Sequence, residues 1–122
     1  MKRAILLGIT LTLAACGGSD DAKSKADPAV VAEAQKVWKE KCVTCHGDRG
    51  RGDGPGAAAL NPKPRTFADP QWQMQTKDDR IAKVIIEGGP AVGLSEGMAA
   101  NPELQGKDEV VAELVKIVRS FR

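Results

Sequence analysis

Apolar residues recur at three- and four-residue steps in three stretches of the chain, and each predicts an amphipathic helix. The first carries Val30, Val31, Ala34, Val37 and Trp38. It opens at Asp27 as N-cap, with Pro28 at the first helical position, where its missing N–H costs nothing. The second is expected from Thr76, with Asp79 three residues on as an imperfect capping box and Ile81, Val84 and Ile85 as its stripe. Gly88-Gly89-Pro90 ends it. The third begins near Gly106 and aligns Val110, Leu114, Ile117, Val118 and Phe121 on one face. Its acidic first turn (Asp108, Glu109) and late Lys116 and Arg119 suit the helix dipole. Between these stretches the polarity loses its period. Gly47 to Gly56 holds five glycines, and Asn61 to Pro70 holds three prolines. No run alternates long enough to make a strand. The pattern predicts an all-α domain whose long loops need something to pack on.

The N-terminus obeys a different logic. Met1-Lys2-Arg3 is positive, and the residues from Ala4 to Leu13 are mostly apolar. Ten residues of helix reach about 15 Å, half of the roughly 30 Å of bilayer hydrocarbon, so residues 1–15 read as a signal peptide and not a spanning helix. Leu13-Ala14-Ala15-Cys16-Gly17 resembles the lipobox of bacterial lipoproteins, which implies a lipid on Cys16 as the first mature residue. The small polar residues that follow, to Ala26, read as a tether that sets the domain roughly 20 Å from a membrane. Gly17 is not the Asp that marks inner-membrane retention in some bacteria, so the choice of membrane stays open. The domain itself is placed at residues 27–122.

Composition changes the picture in three ways. The 122 residues allow one domain. Its aromatic content is only 3%, so the core is thin and a staple is expected. The formal charge of +2 counts Lys2 and Arg3; without the first fifteen residues the remaining 107 hold 16 basic and 16 acidic side chains. Nothing in that balance points to nucleic acid as a partner. Lys36, Lys39, Lys41, Arg49 and Arg51 nevertheless crowd one stretch, and Glu96, Glu103, Asp108, Glu109 and Glu113 another. Such a dipole would orient a docking partner.

The single histidine, His46, stands in Cys42-Val43-Thr44-Cys45-His46. C-x-x-C-H is the attachment signature of c-type haem. Two thiols at this spacing add to the two vinyl groups on one porphyrin edge, and the adjacent His reaches the iron from one face. A chance occurrence in this length has a probability of roughly one in a thousand. Other uses of the residues fit less well. A redox dithiol lacks its βαβ context, zinc lacks further ligands, and a disulfide across two residues is strained. Arg51-Gly52-Asp53 and the glycine run resemble an adhesion tripeptide and a phosphate loop, but neither has its context. The glycines are read as letting the backbone approach the haem.

From Asp27 to Arg122 the chain resembles a class I c-type cytochrome of bacteria. The likeness is carried by Cys42 to Gly47, Gly50-Arg51-Gly52-Asp53-Gly54, Leu60 to Phe67, Glu87 to Ser95 and the final helix. It implies a cytochrome c-like fold, with N- and C-terminal helices packed across each other around one covalent haem c on Cys42 and Cys45. It also implies an electron carrier, not an enzyme, serving a donor and an acceptor redox protein from a lipid-anchored, periplasmic position. His46 and Met98 are the implied axial ligands. Met74 is set aside as core or surface. Many relatives place Pro directly after the axial Met, whereas Ala99-Ala100 follow here, which predicts a softer loop. Pro64 resembles the proline whose carbonyl takes the His Nδ1 proton, with Pro62 competing. Arg65 and Trp72 are candidate holders of a haem propionate. Two other uses stay open: an open or labile sixth position would make a sensor or peroxidase-like centre, and tight association would make a haem subunit of a larger membrane complex.

Overall fold

A computed structural model describes residues 25–122. Residues 1–15, expected as a signal peptide, Cys16 and most of the expected tether lie outside the described residues. The described residues form helices and loops, without strands. Helix α1 spans Pro28–Val37 and is capped as the sequence dictates: the Asp27 carboxylate accepts from the Ala29 N–H at 2.8 Å. The helix does not stop at its end. It widens into a π-helical turn over Trp38–Cys42, where the Val43 N–H reaches back to the Trp38 carbonyl, and closes as a short α-helical turn, α2, over Val43–His46. A π turn adds a residue to the local repeat and so re-aims everything after it. Trp38 thereby stays in the core while the C-x-x-C-H turn presents a different face.

The expected second helix is two elements. Helix α3 runs Pro70–Gln75 and α4 runs Asp78–Glu87, with an extended residue, Thr76, between them. Asp69-Pro70 repeats the Asp27-Pro28 start signal, and the Asp69 carboxylate accepts from the N–H groups of Gln71 and Trp72. The capping box expected from Thr76 does not form, because Asp79 turns to the adjacent Arg80 N–H at 2.8 Å. Gly88 ends α4 at φ 79°, as its position predicted. Helix α5 runs Asp108–Arg119.

Helix α5 is the spine of the domain. Val110, Val111, Leu114, Val115 and Val118 are all buried, Leu114 almost completely. Helix α1 crosses it at Ala34, which has no exposed surface, so a small side chain sets the close approach of the two helices. Helix α4 packs on α5 through Ile81 and Ile85. Trp38 and Phe67 join this core from the turn and loop side, and Leu104 plugs it from a 3₁₀ turn, Pro102–Leu104. The crossed terminal helices thus stand as expected.

Two ion pairs join distant parts of the chain, and the first of them ties the basic stretch to the acidic one. Lys41 pairs with Glu103, and Lys107 meets Glu33 at 2.7 Å. The first links the turn before Cys42 to the segment after Met98; the second links α5 to α1. Part of the expected charge dipole is therefore neutralised within the molecule.

Candidate functional site

The last carbonyls of any helix lack partners within the helix. At α2 they are satisfied by the glycine loop. The N–H groups of Gly52, Gly54 and Gly56 donate to the carbonyls of His46, Cys45 and Thr44, at 2.8, 3.2 and 2.8 Å. Every second residue of the loop donates, and each of those residues is glycine. A Cβ at Gly54 would lie 2.4 Å from the Val43 and Thr44 carbonyl oxygens, and one at Gly52 would lie 2.3 Å from the Pro64 oxygen. Gly52 also sits at φ +73°, which side chains rarely adopt. Gly54 and Gly56 bring the loop backbone against the C-x-x-C-H turn itself, and Gly52 brings it against the Pro64 carbonyl.

Cys42 and Cys45 are half-buried free thiols. Burial pushes the Cys42 thiol up to about 11, against the lowering effect of Lys41, so it stays protonated at neutral pH. Its Sγ lies 4.0 Å from the Val37 carbonyl. Among the described residues no three His, Cys, Asp or Glu side chains converge as a metal cluster.

His46 is held by two contacts. Its Nδ1 lies 3.2 Å from the Arg65 carbonyl, and its ring stacks on Phe67 with centroids 4.5 Å apart and planes 21° apart. Burial holds the imidazole below its ordinary pKa, and the Arg65 carbonyl works in the other direction. The ring is therefore neutral at pH 7, with Nδ1 as its donor and Nε2 as its lone-pair nitrogen.

The proline loop does this work one residue later than expected. The Pro64 carbonyl faces Gly52, and that of Arg65 takes the imidazole. The Arg65 side chain is exposed and reaches Asp69 at 3.5 Å. Trp72 is half-buried, with its ring centroid 5.3 Å from that of Phe67. The structure thus gathers Cys42, Cys45, His46, Pro64, Arg65 and Trp72 around one loop and one turn. Met98 stands on a separate segment. It is half-buried, its carbonyl accepts from the Gly89 N–H at 2.9 Å, and its N–H donates to the Ser95 carbonyl at 3.2 Å. Beside that segment a cleft of about 640 Å³ opens between Leu60, Asn61 and Pro62 on one wall and Gly93, Leu94 and Glu96 on the other.

Sequence reasoning gave no role to Phe67 or to the side chains behind it. Phe67 touches His46, Trp38, Trp72 and Phe121, and its position in a Pro-x-x-Phe stretch was the available signal. Gln73 and Arg119 carried none, because a glutamine in a short helix and an arginine in a last turn look like solvated residues.

Comparison with known proteins bears on the whole domain. No curated protein matches the chain. A solved structure titled "KustC0563 c-type cytochrome" is similar to it at 36% identity, over 73% of this chain and 96% of that one, with a TM-score of 0.57. The family model described as Cytochrome c matches residues 31–121, which takes in most of α1, all of α2 to α5, the C-x-x-C-H turn and the Met98 segment. With that match the chain belongs to the cytochrome c family, electron-transfer proteins that bind haem c covalently.

Proposed function

We propose that this cytochrome is a lipid-anchored carrier of single electrons on the periplasmic face of a bacterial membrane. One haem c is attached through Cys42 and Cys45, the iron is held between His46 and Met98, and Cys16 carries the lipid. The observation that carries the reading is the state of His46. Its Nδ1 is taken by the Arg65 carbonyl, which leaves the Nε2 lone pair free for a metal, and burial favours the neutral ring that such a ligand requires.

The residues present fit the group. Two half-buried thiols that are not joined in a disulfide stand three residues apart on a helical turn, next to a neutral imidazole. The turn is braced by a glycine loop whose close approach excludes Cβ atoms. Haem bound here would supply a one-electron ferric/ferrous couple, and with His46 and Met98 both holding its iron there would be no position for substrate. The chain's own contribution is rigidity. Carbonyls of the turn are fixed by Gly52, Gly54 and Gly56, the imidazole by Arg65 and Phe67, and the Met98 segment by Gly89 and the Lys41–Glu103 pair. Groups held in this way move little between oxidation states. Electrons then pass to and from donor and acceptor redox proteins. No helix among the described residues is long and apolar enough to cross a membrane, and in this reading attachment falls to the lipid on Cys16.

Optical spectra of the matured protein test the proposal: oxidised, reduced, and reduced under carbon monoxide, for the wild type and Met98→Ala. The wild type is expected to give c-type bands that carbon monoxide leaves in place, and Met98→Ala bands that shift. A shift in the wild type would replace the carrier by a sensor or peroxidase-like centre with an open position. Absence of haem bands would overturn both.

A further inference from the structure

A polar clamp lies behind the His46 ring and joins it to the last helix. The Gln73 side chain on α3 uses both of its N–H donors: Nε2 donates to the Phe67 carbonyl at 2.7 Å and to the Val118 carbonyl at 2.9 Å. Its Oε1 accepts from Arg119 Nη1 at 2.9 Å. Two carbonyls only accept and a guanidinium only donates, so the amide has one orientation and cannot flip. Arg119 is anchored in turn. Nη1 also donates to the Gln73 carbonyl at 2.7 Å, Nη2 to the Thr76 carbonyl, and Nε to the Asp78 carboxylate at 2.8 Å. The side chain is only 20% exposed, so these bonds are largely screened from water.

The target of the clamp is a three-residue segment. Arg65 gives His46 its carbonyl acceptor, and Phe67 gives it the stacked ring. The segment's backbone is pinned from both sides at Phe67, by the N–H to the Gly50 carbonyl at 2.6 Å and by the carbonyl to Gln73. Without the Gln73 bond, the Phe67 carbonyl loses a partner and the segment gains freedom to move away from the ring.

We infer that Gln73, oriented by Arg119, is a positioning residue for His46: through the Arg65–Phe67 segment it sets the ring plane and the strength of the Nδ1 hydrogen bond, and so tunes the potential of the bound haem. The inference rests on His46 as an axial ligand. A strong acceptor at Nδ1 increases the basicity of the ligating nitrogen and favours the ferric state. Loosening the segment weakens that acceptor and raises the potential.

The test compares haem-loaded wild type with Gln73→Leu, Arg119→Lys and Leu114→Ala. The first removes both donors without changing charge, and the second keeps the charge but loses the fork. The third destabilises the core one helical turn before Val118 without removing any hydrogen bond of the clamp and serves as the control. Reduction potential and the ferric low-spin electron paramagnetic resonance spectrum are read for each, beside the thermal midpoint. An upward potential shift and broadened low-spin signals are expected for Gln73→Leu, a smaller shift in the same direction for Arg119→Lys, and neither for Leu114→Ala despite its lower midpoint. Should Gln73→Leu fail to mature, Arg119→Lys carries the same reading. Unmoved potential and spectrum in the clamp variants, with only the midpoint lowered, would make the clamp merely structural and overturn the inference while leaving the haem reading intact. A wild type without haem would overturn both.

Discussion

At the scale of single residues, the alternation Gly52-x-Gly54-x-Gly56 shows how backbone chemistry selects a side chain. Each glycine donates to a carbonyl that the end of α2 would otherwise leave bare, and two of them do so where a methyl group has no room. At Gly54 the clash stands alone: its obstacles, like that of Gly52, are backbone oxygens, which cannot rotate away, but its φ is not positive. Gly54→Ala is expected to cost about 2–3 kcal/mol by overpacking and to lower the fraction of chains that mature with haem. A chemical-denaturation midpoint and the haem-to-protein absorbance ratio would check this, and a midpoint equal to wild type would refute the clash. The importance of these glycines was legible in the sequence, but their purpose was not: spacing reveals that the backbone comes close to something, not to what. The same holds at His46. Composition singled it out, yet whether Pro64 or Arg65 faces it depends on where one carbonyl points, and that is decided by the contact of Pro64 with Gly52.

At the scale of elements, periodicity located the helices that are long enough to show it. Helix α1 begins at its start signal and α5 two residues after the expected Gly106; α5 buries Val110, Leu114 and Val118 as predicted, but also Val111 and Val115, while Ile117 and Phe121 are only half-buried. Helix α3 escaped because six residues with one half-buried tryptophan carry no period, although Asp69-Pro70 announced it as clearly as Asp27-Pro28 announced α1. The π turn left no trace in the sequence at all, since it trades one helical hydrogen-bond register for another among residues compatible with both. For so short a helix the cap is a large share of its stability. Asp69→Ala is expected to cost about 1 kcal/mol, read as a lower thermal midpoint. It should also loosen Gln73, three residues inside the capped turn, so amide hydrogen exchange should accelerate at Gln73 and Phe67 ahead of α1. Equal acceleration throughout would mean that α3 has no local stability of its own.

At the scale of the whole molecule, charge and attachment decide how the domain meets its partners. Lys41–Glu103 takes one basic and one acidic charge out of the expected dipole, Lys107–Glu33 lies outside it, and the side chains of both pairs are close to half exposed, so each pair contributes little to stability. In the proposed mature chain, whose charged side chains balance, long-range steering is weak, and search for a partner is better served by confinement to a surface. The lipobox-like Leu13 to Cys16 and the polar residues after it supply that confinement in the proposed reading, holding the haem domain within roughly 20 Å of the membrane. Cys16→Ser removes the lipid without touching residues 27–122. It is expected to move the protein from the membrane fraction to the soluble periplasmic fraction, with the optical spectrum and reduction potential unchanged and reduction by a membrane-bound donor slowed in intact cells. Variant protein that remains membrane-bound would place the attachment elsewhere in the chain or in a tightly held partner. A soluble variant reduced as fast as wild type would show that confinement has no part in electron delivery.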